Sequence, residues 1–162
     1  RGETIVDAFA GVGYYSFPML INAGAAHVHA CEMNPPSIDG LVRGAEANGI
    51  TDRITVYRGN NQKSLPQLKG IADRCHLGLL PSSEAVWGLC LQALKPQGGW
   101  LHVHMNVKDE EISDWKRSTI EQFQSLSDSM KLGFTIRGDH LERVKWYAPY
   151  VRHVVYDVEC RP

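Results

Sequence analysis

The stretch Thr4-Ile5-Val6-Asp7-Ala8-Phe9-Ala10-Gly11-Val12-Gly13 decides the fold. A β-prone apolar run reaches an acidic residue, then breaks at Gly11 and Gly13, which lack a Cβ and permit a sharp backbone turn. Tyr14 to Ala23 follows with helical spacing, and Asn22-Ala23-Gly24 closes it as a C-cap. Outward from this unit the same strand–turn–helix pattern recurs. His27 to Met33 reads as a second strand, and Pro35-Pro36 open a helix that runs to Asn48-Gly49. Arg53 to Tyr57 alternates as a third strand, broken by Gly59-Asn60-Asn61. Cys75 to Leu80 is nearly all apolar, as strands covered on both faces are. Ser83 to Leu94 is helical, and Gln97-Gly98-Gly99 turns into a fifth strand, Trp100 to Val107. From Glu110 to Lys131, Ile112, Trp115, Ile120, Phe123, Leu126 and Met130 share one helical face. Val144 to Tyr147 and Val151 to Cys160 are separated only by Ala148-Pro149-Tyr150, too short for a crossover, so they pair antiparallel. The pattern predicts an α/β fold: a Rossmann-like, mostly parallel sheet ending in a C-terminal antiparallel hairpin, one domain over residues 1–162.

Composition sets the outer limits. The 162 residues are 43% hydrophobic and 22% charged, which excludes a disordered or fibrous chain. Seventeen basic residues against eighteen acidic give a net charge of −1, so RNA cannot be held here by charge alone. Cys31, Cys75, Cys90 and Cys160 show no C-x-x-C or Cys/His ligand spacing, which argues against zinc and for a reducing compartment. No apolar run approaches the ~18 residues of a membrane span. The expectation is a cytoplasmic domain with no metal.

In an open parallel sheet, ligands bind at the carboxyl ends of the strands. Those ends carry Asp7 with the Gly11/Gly13 turn, Glu32, Asn60-Asn61 and the turn Leu80-Pro81-Ser82-Ser83. Glu32, at the end of the second strand, suits both hydroxyls of a ribose, and Asn60 one strand on suits an adenine edge. A lone G-x-G is equally an ordinary βα turn; the ordered set with Glu32 and Asn60 points to a nucleoside cofactor. Ser16 stands where a pyrophosphate-binding G-x-G-x-x-G needs its third glycine, which excludes the dinucleotide version. S-adenosylmethionine (SAM) has no phosphates, and its ammonium can use Asp7. The order of elements is also that of SAM-dependent methyltransferases. Other features have bland readings. Asn34-Pro35-Pro36 follows the second strand and initiates a helix. His102 and His104 share a strand face without a third ligand, so packing or hydrogen bonding is expected of them. Trp115 and Phe123 belong to the core, and Glu110-Glu111 with Lys116-Arg117 form a solvated face.

Asp7-Ala8-Phe9-Ala10-Gly11-Val12-Gly13-Tyr14-Tyr15 resembles the D-x-(F/Y)-A-G-(I/V)-G-Y-(F/Y) signature of the SAM-dependent enzymes that modify guanosine-37 of tRNA. Within that family the chain is most similar to the wybutosine-synthesising 3-amino-3-carboxypropyltransferases. The resemblance rests on Gly24 to Glu32, Asp73 to Ser83, Leu101 to Val107 and Tyr147 to His153. In particular, L-G-L-L-P-S-S over 77–83 stands where the related guanine-N1 methyltransferases carry N-L-P. It implies transfer of the aminocarboxypropyl group of SAM to C7 of 4-demethylwyosine at position 37 of tRNA-Phe, leaving 5′-methylthioadenosine. It makes Glu32, Asn60 and Asn61 SAM contacts, with Asp7, Gly11 and Gly13 beside them, and Pro81, Ser82 and Ser83 the wall of the base pocket. No general base is named by it. Asn60-Asn61 replaces the family's usual Asp-Asn, and His76 replaces its usual Asn. Family members also extend upstream into a tRNA-gripping region, so this chain is expected to be a catalytic core from a longer protein. The competing readings are a guanine-37 N1-methyltransferase and a catalytically inactive SAM-fold interaction module.

Overall fold

The computed structural model describes residues 1–162. Seven strands form a single sheet: β1 (Thr4–Asp7), β2 (His27–Glu32), β3 (Ile54–Arg58), β4 (Arg74–Leu77), β5 (Gly99–Lys108), β6 (Thr135–Ala148) and β7 (Val151–Arg161). Their order is β3-β2-β1-β4-β5-β7-β6. β1 to β5 are parallel, and β7 pairs antiparallel with both β5 and β6. The expected α/β class and closing antiparallel hairpin are present, and the hairpin is threaded so that its second strand, not its first, meets β5.

Five helices connect the strands: α1 (Ser16–Ile21), α2 (Pro35–Ala47), α3 (Asn61–Ser64), α4 (Trp87–Ala93) and α5 (Ile112–Ser129). Alternation along β1 assigns the two faces. Ile5 packs with Leu20 of α1 and with Leu41 and Ala45 of α2. Val6 faces the opposite way, into the larger cluster with Trp87 and Leu91 of α4 and Phe123 of α5. Trp87 and Phe123 stack with ring centroids 4.3 Å apart and form the centre of that second layer. On the first layer, the Phe17 ring fills the space between Gly13 and Gly44; a Cβ at either glycine would come within 2.6–2.7 Å of it.

Several boundaries differ from the sequence reading. β4 stops at Leu77, where the chain turns away through Gly78. The helix expected from Ser83 begins as a 3₁₀ turn, Glu84–Val86, before α4. The largest difference is β6, which starts at Thr135 rather than Val144. Two side chains on α5 hold that start in place. Gln124 donates to the Phe134 carbonyl and accepts from the Ile136 N–H, and Ser127 bonds both backbone groups of Phe134. No helix is long and apolar enough to cross a membrane.

Candidate active site

The carboxyl ends of β1 and β2 are joined through one side chain. Glu32 Oε2 accepts the Gly11 N–H at 2.7 Å, while Oε1 accepts the N–H groups of Met33 and Asn34 at 2.8 Å each. Gly11 holds φ +56°, a left-handed conformation that an L side chain resists, and no atom lies within 4 Å of where its Cβ would be. It is glycine for its backbone angle, whereas Gly13 is also crowded by Phe17. A carboxylate offers about four acceptor positions, so three amides leave one on Oε2 for an incoming hydroxyl.

The next strand end supplies two asparagines with different duties. Asn60 caps α3, accepting the Gln62 N–H at 2.9 Å. Asn61 Nδ2 donates to the Ala8 carbonyl at 2.9 Å, which leaves its Oδ1 free. Asn61, not Asn60, lines the cleft between the ends of β1, β2 and β3, together with Ala8, Phe9, Cys31, Glu32, Met33 and Gly59. That cleft measures about 60 Å³, far below the ~300–1,000 Å³ of pockets that enclose a ligand. It is a shallow groove rather than an enclosing pocket. Burial pushes the Cys31 thiol up to about 12, so no thiolate forms there.

Asp7 reaches the same end of the sheet but is turned inward. It is 1% exposed, with Oδ2 accepting the Ser16 hydroxyl at 2.7 Å and Oδ1 lying 3.2 Å from His76 Nδ1. Burial alone would raise its carboxyl; the bonds from His76 and Ser16 outweigh that and hold it below the ordinary value. His76 continues across the sheet. Its Nε2 lies 3.0 Å from His104 Nε2, and His104 Nδ1 lies 3.0 Å from His153 Nε2. Burial, then the neighbouring imidazoles of His76 and His153, push His104 down to about 3. The Tyr15 ring covers His76 and His104, with centroids at 4.4 and 5.3 Å. Gly78 gives the His76 ring its room, since a Cβ there would fall 2.6 Å from the imidazole.

This histidine row was missed as a unit by the sequence reading, which noted only that His102 and His104 share a face. The signal was available in the pairing: His76 of β4, His104 of β5 and His153 of β7 project to one side once the register is known. His102 stands apart, bonded to Asp157 at 2.7 Å. No set of three His, Cys, Asp or Glu side chains converges as metal ligands.

The turn after β4 is built by its own serines. Ser82 Oγ accepts the Glu84 N–H, and the buried Ser83 Oγ accepts the Trp87 indole N–H at 3.1 Å. Pro81 leans on β5, its carbonyl accepting the Asn106 N–H at 3.3 Å. Asn106 pairs directly with His153 across β5 and β7. The Asn106 carboxamide and His153 Nδ1 are inaccessible yet without hydrogen-bond partners, a combination costing roughly 1–3 kcal/mol per group. Trp115 Nε1 and Thr119 Oγ1 on α5 are likewise unpaired. A cavity of about 490 Å³ lies away from the strand ends, over the sheet face beside α1, and reaches His76, His102 and His104 from the side.

Comparison with known proteins gives this geometry a context. Residues 1–132 match the family described as the TRM5/TYW2 methyltransferase domain. The chain is 45% identical over 161 residues to the tRNA wybutosine-synthesizing protein 2/3/4 of Arabidopsis thaliana, covering 99% of this chain and 16% of that protein. It is 38% identical over 198 residues to the tRNA wybutosine-synthesizing protein 2 homolog of Danio rerio, covering 99% of this chain and 47% of that one. The chain therefore spans less than half the length of these relatives. The solved structure of M. jannaschii TYW2 in complex with AdoMet superposes with a TM-score of 0.87 at 26% identity, covering 99% of this chain and 69% of that one. P. horikoshii TYW2 in complex with MeSAdo gives a TM-score of 0.82 at 27% identity, covering 98% of this chain and 57% of that one.

Proposed function

The chain belongs to the TRM5/TYW2 methyltransferase domain family, and from that premise we propose that it transfers the 3-amino-3-carboxypropyl group of SAM to the modified guanine at position 37 of tRNA-Phe. SAM supplies a sulfonium whose γ-carbon is open to attack. Everything else is the work of this chain. Glu32 keeps an Oε2 acceptor for a ribose hydroxyl while it fixes the Gly11 turn, and Asn61 Oδ1 is free beside the groove for an adenine amino group. Asn60 Nδ2, Asp7 and Gly13 complete the set of residues we assign to SAM. Asp7 acts from behind the turn, through Ser16 and His76. Pro81, Ser82 and Ser83 wall the base pocket. A tRNA partner and a cytoplasmic setting belong to the same reading, and four buried, unpaired cysteines suit a reducing compartment.

The observation that carries this reading is the meeting of two features at one sheet end. The Glu32–Gly11 link, where we place the nucleoside, stands at the ends of β1 and β2, and the L-G-L-L-P-S-S turn stands after β4. Orientation of the base against the γ-carbon rather than the methyl decides the product, and such positioning can lower a barrier by roughly 7–11 kcal/mol. The test is the leaving product. With tRNA bearing 4-demethylwyosine and SAM, chromatography should show methylthioadenosine rising in step with modified tRNA. S-adenosylhomocysteine instead would make the protein a methyltransferase, and neither product, with no heat of SAM binding, would make it an inactive module.

A further inference from the structure

With one hydrogen on each imidazole, the acidic end of the histidine row sets its hydrogen-bond direction. An ionised Asp7 can only accept, so His76 carries its hydrogen on Nδ1 and presents a bare Nε2. His104 must donate from Nε2 to that nitrogen, which leaves its own Nδ1 bare. His153 must in turn donate from Nε2. The row then ends on His153 Nδ1 as a lone pair with no donor in the protein. His153 is 6% exposed. Beside it stands the unpaired Asn106 carboxamide, on the strand that the Pro81 carbonyl touches.

We propose that Asp7, His76, His104 and His153 form a proton relay whose open end, His153 Nδ1, takes the proton that the target base sheds when it is alkylated. This rests on the base lying against the Pro81–Ser83 turn, as assigned above. The balance is complete. The base carbon forms a bond to the γ-carbon, and the carbon–sulfur bond breaks with its electron pair retained by sulfur. The hydrogen on the base carbon leaves as a proton to His153 Nδ1. His153 then passes its Nε2 proton to His104 Nδ1, and His104 passes its Nε2 proton to His76 Nε2. The positive charge comes to rest on His76 against the Asp7 carboxylate. The end points suit the traffic. Burial, and after it Lys145 opposite on β6, lower the affinity of His153 for a lasting proton. His104 faces His76, His153, His102 and, more distantly, Asp7, and is the least able to hold a charge. Only His76 has a carboxylate at 3.2 Å. His76 and His104 also line the cavity beside α1, which gives the stored proton a way to solvent between turnovers. His153 pairs across the strands with Asn106, whose N–H is held by the Pro81 carbonyl at 3.3 Å, so the open end of the row lies one residue pair from the turn assigned to the base pocket.

Two measurements test the relay. In protein carrying ¹⁵N-histidine at about pH 7, long-range imidazole spectra should find hydrogen on Nδ1 of His76 and on Nε2 alone of His104 and His153. Hydrogen on Nδ1 of His153 would overturn the proposal. Second, His104→Gln keeps hydrogen-bonding groups in the middle of the row but cannot exchange one proton for another. Single-turnover transfer should slow by about a hundredfold, with SAM and tRNA affinities retained and the pH dependence of the rate altered. An unchanged rate and pH profile in a variant that binds both substrates would refute it. If S-adenosylhomocysteine is the product, the assignment of the transferred group fails; the same variant read on that product still decides the relay, since methylated guanine sheds a proton too.

Discussion

At the scale of single residues, Glu32 joins structure to binding. Its carboxylate spans three backbone amides from two segments, Gly11 after β1 and Met33-Asn34 after β2. Removing it strands those donors and removes the acceptor assigned to the ribose. Hydrogen bonds to charged groups contribute ~1.5–3 kcal/mol each, and about 1.4 kcal/mol is tenfold in affinity. Glu32→Ala should therefore weaken SAM binding by at least about tenfold. Glu32→Gln, which keeps one acceptor oxygen, should lie between the variant and the wild type. Isothermal titration reads both, with circular dichroism to show that the variants are folded. Wild-type affinity in a folded Glu32→Ala protein would remove Glu32 from the adenosine site. The geometry also ranks the two asparagines that the sequence left side by side. Asn61 faces the groove, and Asn60 uses its oxygen on the cap of α3. Only the fold could make that distinction, because adjacent residues point apart.

At the scale of elements, the layer of α4 and α5 depends on one stacked pair. Phe123 is fully buried against Trp87 at 19° between ring planes. Truncating a buried aromatic costs about 3–5 kcal/mol, so Phe123→Ala should lower the urea midpoint by the corresponding amount and weaken the near-ultraviolet signal of Trp87. A loss below about 1 kcal/mol would mean that the layer repacks without the ring. Elements with an apolar rhythm were legible in the sequence. β1, β2, β4, β5 and α5 could be read because each buries a regular set of side chains. Most of β6 was not, since Thr135 to Arg143 lies on the sheet edge and buries only Ile136. Its strand form comes from pairing with β7 and from Gln124 and Ser127 on α5. Local pattern carries neither. α3 escaped for another reason: four residues are too few to show a helical period. The histidine row was hidden likewise, because it is assembled from β4, β5 and β7 by register.

At the scale of the whole molecule, charge sets how much of the proposed work on tRNA these residues could do unaided. Seventeen basic residues face eighteen acidic ones, so counterion release, which dominates nucleic-acid affinity, has little to draw on. The tail holds the best local patch: Arg137, Arg143, Lys145 and Arg152. The fold reduces even that. Arg152 and Arg143 both approach Asp109, at 3.2 and 3.6 Å, so part of their charge is already met within the protein. The exposed Trp146, with the Arg152 guanidinium 3.3 Å from its ring centroid, offers stacking surface for a base rather than phosphate affinity. Residues 1–162 should therefore bind tRNA at the level of a non-specific contact, with a dissociation constant of ~10⁻⁶ M or weaker. Fluorescence anisotropy with labelled tRNA at ~150 mM salt, where exposed charges are screened beyond about 8 Å, measures it. Substituting Arg137 and Lys145, which have no acidic partner within ion-pair reach, should weaken that binding further and reduce its salt dependence by about one contact each. Submicromolar affinity at the same salt would show that the sheet edge and hairpin carry a recognition surface of their own, and that net charge is the wrong guide to this protein.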